Sequence, residues 1–348
     1  MIIEEQINNE TIIKDIFSWY GIDIRNAIFN IGVNPTLATY IFATPSTLND
    51  IYHKDRKHWL ELKNALLIAL DVQVIRMVVK DNITSIEVPN KERALVNLAD
   101  ELLSETYKNF ESGLIIPFGR DGFNNSHFYD LRKLPHLLMA GATGSGKSTF
   151  LNTSIISLTK KHSPKELNII LSDVKKVEFD AFQELPHLLR PIINDHDQIN
   201  EAFAWCDLEV NNRLKIFSDC QVNNIDEYHK KQIMPYIVFI IDEISDYIVF
   251  DAYHGKKLLA MILKVMDRAE QVGIHLIINS SRPCEETFPI DLRNKFLSRL
   301  VFVTAGESDS KIALGQGGAQ SLLSKGDALF RYRNADDPIR LQLPYSKS

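Results

Sequence analysis

Two rhythms of apolar residues run along this chain, and they divide it. From residue 11 to about residue 98, helix-like stretches such as 58–70 are mixed with β-branched runs at 72–79 and 84–88. That mixture predicts a small α+β unit. A polar, glycine-containing stretch at 119–126 follows, and the boundary is expected between 105 and 130, which we place as domains 1–110 and 111–348. Beyond it, residues 136–139, 168–171, 237–241, 274–278 and 300–303 are short runs rich in Ile, Leu and Val. Runs of that length predict buried parallel strands. Helical patterns at 149–161, 198–217 and 256–271 fill the gaps. The alternation is that of an α/β, doubly wound parallel sheet, which binds ligands beyond the carboxyl ends of its strands. No internal repeat or low-complexity segment interrupts it.

Composition narrows the class. At 348 residues and 45% apolar content, the chain has the makings of a soluble two-domain protein with a large core. Apolar runs such as 66–70 and 237–241 end far short of the roughly 20 residues a membrane helix needs, so no span is expected. The start, Met1 to Glu5, turns acidic at once and lacks the layout of a signal peptide, which predicts a cytoplasmic location. Cys206, Cys220 and Cys284 have neither disulfide pairing nor metal spacing and read as ordinary thiols. A net charge of −6 argues against a chain that coats nucleic acid over its whole surface but leaves room for a local basic path.

The sharpest signal is Gly141-Ala142-Thr143-Gly144-Ser145-Gly146-Lys147-Ser148, with Thr149 after it, between an expected strand and an expected helix. It fits the phosphate-loop pattern G-x-x-x-x-G-K-[ST] in its required context. Glycines let successive backbone N–H groups face phosphate oxygens, and the helix N-terminus adds its positive end. Lys147 is expected to reach the terminal phosphates of ATP, and Ser148 to hold Mg²⁺. The run 237–241 leads directly into Asp242-Glu243, which would face the phosphates from a neighbouring strand end. Asp242 is the second Mg²⁺ candidate, and Glu243 the base that orients and deprotonates water. An apolar strand ending in Asp-Glu is weak evidence alone; the phosphate loop upstream gives it meaning.

With these motifs placed, the sequence resembles the FtsK/SpoIIIE family of ring-shaped double-stranded DNA translocases over almost its whole length. The resemblance rests on His136-Leu137-Leu138-Met139-Ala140-Gly141 and Asn152, on Ser172-Asp173-Val174-Lys175 with Glu178, and on Leu185-Pro186-His187-Leu188-Leu189. It continues through Trp205-Cys206 with Glu209 and Arg213, Gly273-Ile274-His275-Leu276-Ile277, Arg282-Pro283, and Gly318-Ala319 to Gly326-Asp327. Val88-Pro89-Asn90-Lys91 with Arg93 looks like the end of the domain that precedes the ATPase core. The resemblance implies a RecA-like P-loop NTPase core behind a small α+β domain. It further implies a soluble homohexamer acting on duplex DNA; the family's winged-helix module and membrane anchor, by contrast, are not expected in this chain. From the missing modules, the expected setting is a plasmid, phage or conjugative element, with a loading or recruitment protein encoded there as a partner.

Two departures stand out. The family's arginine three residues before the glycine of Gly-Ile-His-Leu, which acts on a neighbouring subunit's ATP, is Glu270 here. Arg268 is the nearby basic candidate, although two positions are about 200° around a helix; Arg213 is the alternative. The family's Thr-Gln ahead of Arg-Pro is Ser280-Ser281, which removes an amide expected to sense the γ-phosphate.

The resemblance carries DNA-contacting pore positions onto Arg282, Arg293 and Lys311, while a fourth is acidic, Glu307. Such residues bind phosphates without reading bases. An exposed charge paired with Glu285, Glu286 or Asp309 is the competing reading for each. Phe288 and Phe296 read as core, and His136 and His187 as structural. Besides the DNA motor, two other functions fit: a related ATPase of a protein secretion system, and a nucleotide-gated ring scaffold with slow hydrolysis.

Overall fold

The computed structural model describes residues 2–134, 136–249, 252–333 and 335–346; Met1 of the acidic start lies outside them. The chain divides into two compact units, residues 1–96 with 120–126, and residues 97–119 with 127–348.

In the smaller unit, strands Asn30–Val33, Leu37–Ala43, Ile83–Pro89 and Arg76–Lys80 lie side by side in that order, antiparallel throughout. The β-branched run at 72–79 becomes a strand only from Arg76. Asp81 and Asn82 take left-handed φ values of 49° and 61° between two of these strands, the two-residue hairpin turn whose twist suits its flanks. Helices Ile2–Trp19, Ser46–Lys54 and Arg56–Ala69 complete the unit. Asp55 caps the third by accepting from the His58 N–H at 3.0 Å. Leu62 and Leu66, one turn apart, are buried in a core with Phe17, Tyr40, Phe42 and Ile86. The 120–126 loop joins this unit through the Asn34 side-chain amide, which donates to the Asp121 carbonyl at 3.0 Å.

In the larger unit all five apolar runs are strands: Leu137–Ala140, Leu167–Asp173, Tyr236–Asp242, Ile274–Ser280 and Ser298–Phe302. Their spatial order is Ser298–Phe302, Leu137–Ala140, Ile274–Ser280, Tyr236–Asp242, Leu167–Asp173, parallel throughout. All five carboxyl ends therefore open on one edge. The nine-stranded sheet as a whole is mixed rather than purely parallel. Asp327–Arg331 and Ile339–Gln342 add antiparallel beyond Ser298–Phe302, and Ile115–Arg120 and Ser126–Asp130 extend it further. Helices Lys147–Lys161, His196–Asp219 and Ala252–Ala269 are the connections foreseen between strands.

Ile237 to Ile241, Ile274 and Leu276 to Ile278 have at most 1% of their surface exposed. At about 1.5–3 kcal/mol for each buried aliphatic side chain, this core outweighs local strand or helix preference. Phe288 and Phe296 are wholly buried in it, and His136 is buried too, its Nδ1 accepting from the Leu276 N–H at 3.0 Å. No described helix is long and apolar enough to cross a membrane.

Candidate nucleotide site

The phosphate loop leaves the central strand after Ala140 and is held by backbone bonds to its neighbours. The Gly141 N–H donates to the Ser280 carbonyl at 3.2 Å, and the Ala142 N–H to the Val303 carbonyl at 2.7 Å. On the far side, the Gly326 N–H donates to the Ser145 carbonyl at 2.8 Å. Gly146, at φ 113°, lies so close to this brace that a Cβ there would meet the Gly326 nitrogen at 2.6 Å. Glycine is the residue that both the φ and the close approach permit. The Lys147–Lys161 helix begins at once, with Ser148 and Thr149 half-buried in its first turn.

Lys147 is buried, and its ammonium donates to the Gly141 and Ala142 carbonyls at 2.7 and 3.0 Å. Burial lowers its pKa from the ordinary lysine value, against the attraction of Glu243 and Asp242. The structure thus brings Lys147, Asp242 and Glu243 to one edge. Asp242 and Glu243 are each about 6% exposed. Asp242 accepts from the Asn279 amide at 2.6 Å. Burial, opposed by that bond and reinforced by Glu178, Glu243 and Asp173, pushes its carboxyl up to about 6.

Glu243 sits at φ 52°, a left-handed conformation uncommon for a side chain of its kind. Burial raises its pKa, but the hydrogen bonds from Ser245, Ser281 and Ser280 outweigh that and hold the carboxyl below its ordinary value. The Ser281 N–H reaches both carboxylate oxygens at 2.9 Å, the Ser280 hydroxyl donates at 3.0 Å, and the Ser245 hydroxyl donates as well. Asn279 is a contributor that sequence reasoning missed, and Gly326, read there only as part of a family motif, turns out to brace the loop. A polar triplet, Asn279-Ser280-Ser281, closing an apolar strand was the available signal for the first.

Asp173 organises the next loop, its carboxylate accepting from the Lys175, Lys176, Val177 and Glu178 N–H groups at 2.7 to 3.1 Å. Glu178 lies close enough to Lys147 and Asp242 to act on both electrostatically. Buried carboxylates that act on one another electrostatically, Asp242 with Glu243, Glu178 and Asp173, suit a divalent cation. Among the described residues no three acidic or His/Cys side chains form a metal cage. By chemistry, the Asp242 carboxylate and the Ser148 hydroxyl are oxygen donors of the kind Mg²⁺ takes.

The remaining candidates lie elsewhere. Arg268 donates to Asn211 at 2.9 Å and to Asp207 at 3.4 Å, with 39% of its side chain exposed. Arg213 is buried, bonded to Glu209 at 2.7 Å and to the Val272 carbonyl at 2.9 Å, so it ties its helix to the turn before Gly273. Arg282 is exposed just past the strand carrying Ser280. Arg293 keeps 16% of its side chain exposed and lies 3.9 Å from Glu285. Lys311 is exposed and pairs with Glu307 at 2.8 Å, one helical turn away.

The FtsK/SpoIIIE family model matches residues 97–233. The DNA translocase FtsK of Campylobacter jejuni is 33% identical over 99% of this chain, which covers 37% of that protein. That of Clostridium tetani is 36% identical over 79% of the chain, covering 38% of its own length. The chain thus spans under two fifths of the curated relatives it matches. Among solved structures, the pCW3 conjugation coupling protein TcpA, a monomer form with ATPγS, superimposes with a TM-score of 0.66 at 22% identity, covering 97% of this chain and 95% of that one. The cytoplasmic domain of the Thermomonospora curvata type VII secretion ATPase EccC gives 0.62 at 22% identity, covering 72% of this chain and 32% of that one. These two likenesses show that the fold of this chain is shared with those proteins.

Proposed function

Because this chain belongs to the FtsK/SpoIIIE family, we propose that it is an ATP-driven translocase of double-stranded DNA that works as a ring-shaped homohexamer. The observation that carries the proposal is the convergence of Lys147, Asp242 and Glu243 at the carboxyl edge of the parallel strands, beside the braced loop Gly141 to Ser148. The loop N–H groups and Lys147 bind the phosphates of ATP. Mg²⁺, held through Ser148 and Asp242, supplies neutralisation of the charge that develops on the transferred phosphoryl group. Glu243 orients the attacking water and takes its proton. Arg268 acts on a neighbouring subunit's ATP, for which it must leave Asp207 and Asn211. Arg282, Arg293 and Lys311 neutralise DNA phosphates.

The domain reading 1–110 and 111–348, the cytoplasmic location and the mobile-element setting with its own loading protein belong to the same proposal. A second reading, a nucleotide-gated scaffold with slow hydrolysis, draws on the three serines that hold the Glu243 carboxylate. The test is steady-state ATP hydrolysis with duplex, with single strands and without DNA, beside a Lys147→Ala control. The motor predicts stimulation by duplex, absent from the control. Turnover indifferent to duplex leaves the scaffold reading standing.

A further inference from the structure

Arg299 and Arg331 sit directly opposite each other on the antiparallel strands Ser298–Phe302 and Asp327–Arg331. Like charges in that register repel, so something must hold them. Arg299 is 7% exposed, and it donates to three main-chain carbonyls: Phe296 at 3.1 Å, Ala313 at 3.4 Å and Arg293 at 2.6 Å. Arg331 donates to the Leu314 carbonyl at 3.1 Å and to the Ala335 carbonyl at 2.9 Å. Four of these five carbonyls lie at the C-terminal ends of two short helices, Ile290–Lys295 and Glu307–Leu314. Those ends carry unpaired carbonyls and partial negative charge, which arginine satisfies in both respects. Gly315, at φ 90°, completes the arrangement, since a Cβ there would lie 2.5 Å from the Arg331 guanidinium.

The first helix carries Arg293 and the second carries Lys311. Arg299 bonds to both helices, from a sheet strand whose far end receives the phosphate loop through Val303 and Ala142. We propose that Arg299, backed by Arg331, is a positioning residue that clamps these two helices into a single DNA-engaging unit on the strand that meets the phosphate loop. This rests on the reading of Arg293 and Lys311 as DNA contacts, but the clamp itself is testable without DNA.

The experiment compares Arg299→Met, Arg299→Lys and the wild-type chain by amide hydrogen exchange and by hydrolysis over a duplex titration. Arg299→Met is expected to speed exchange in both 290–297 and 307–315 by about tenfold, the loss of one charge-assisted hydrogen bond, while peptides over 141–149 keep their rate. The duplex concentration for half-maximal stimulation should rise by about tenfold, with turnover in the absence of DNA within about twofold of wild type. Arg299→Lys, which keeps the charge, should recover part of both effects. Faster exchange in one helix only, in neither, or equally across the whole unit overturns the clamp. If Arg299→Met does not fold, Arg331→Met replaces it, and there an unchanged rate over 307–315 overturns it. Should Arg293→Ala with Lys311→Ala leave duplex affinity intact, the DNA assignment fails, while the exchange result still decides the clamp.

Discussion

The Ser281 N–H donates to both carboxylate oxygens of Glu243 at 2.9 Å. The pair of serines that departs from the family's Thr-Gln therefore grips the residue proposed as base. With the Ser280 and Ser245 hydroxyls, these bonds keep Glu243 ionised below the ordinary range, and a carboxylate so satisfied is a reluctant proton acceptor. If Glu243 is that base, the reaction has to loosen these bonds.

Ser280→Ala removes one of those donors, so the Glu243 pKa should rise towards the ordinary 4.5. A base must be ionised to act, and a depressed pKa keeps it so further into acid. The acid limb of the turnover profile in Ser280→Ala should accordingly move to higher pH, with turnover at mildly alkaline pH equal to or above wild type. An acid limb that stays in place would detach Glu243 from the rate-limiting proton transfer.

Asp242 behaves with the opposite sign. Its carboxyl is raised from 3.8 to about 6 by burial, so the folded protein holds that proton more tightly than the unfolded chain does. The associated stability is complete below 3.8 and is lost as pH rises through 6. Asp242→Asn, free of this penalty, should be more stable than wild type at about pH 7.5 without Mg²⁺, by at most about 3 kcal/mol. The gain should vanish once the pH falls to about 4. Thermal melts across that range check it, and an Asp242→Asn variant less stable than wild type at the upper end contradicts it.

Much of the fold was legible because the information was local. Apolar runs such as 237–241 are short, β-branched and buried on both faces, so the pattern alone points to a strand. The phosphate loop is a run of successive residues whose chemistry needs no partner to be recognised. What the sequence hid are contacts between segments far apart in the chain: Asn279 on Asp242, Gly326 on Ser145, Arg299 opposite Arg331. The antiparallel extension was hidden for the same reason, since the partner of Ile339–Gln342 is set by sheet register. Glu307 reads in sequence as a pore position gone acidic; in the fold it pairs with Lys311, one turn away. Arg213 likewise reads as a candidate to act in trans and is a buried tie within its own chain.

Arg268 is bound to Asp207 and Asn211 on its own chain. Exposed pairs of this kind contribute about 0–1 kcal/mol, little enough for a neighbouring phosphate to displace. If Arg268 acts in trans, Lys147→Ala subunits supply the arginine that Arg268→Ala subunits lack. Mixing two inactive variants should then restore part of the turnover in an assembled ring. Mixtures no more active than the sum of their parts would remove Arg268 from the site.

Replacing Arg282, Arg293 and Lys311 together by alanine should weaken duplex binding equally for unrelated sequences. The slope of log affinity against log salt should flatten by about one unit for each phosphate no longer neutralised. Fluorescence anisotropy over a salt series measures both. Arg282→Ala is the informative single change, because Arg282 leaves the strand beside Glu243. A collapse of hydrolysis with an unchanged salt slope would move it from the DNA path to the ATP site.

Movement along duplex is the central claim, and displacement of a triplex-forming strand from a linear duplex reads it most directly. The account predicts release of the third strand with ATP and Mg²⁺, none with ATPγS, and none by Glu243→Gln, which should bind ATP yet turn over about 10²–10⁴-fold more slowly. Brisk, duplex-stimulated hydrolysis by the wild-type chain that never displaces the third strand would contradict it.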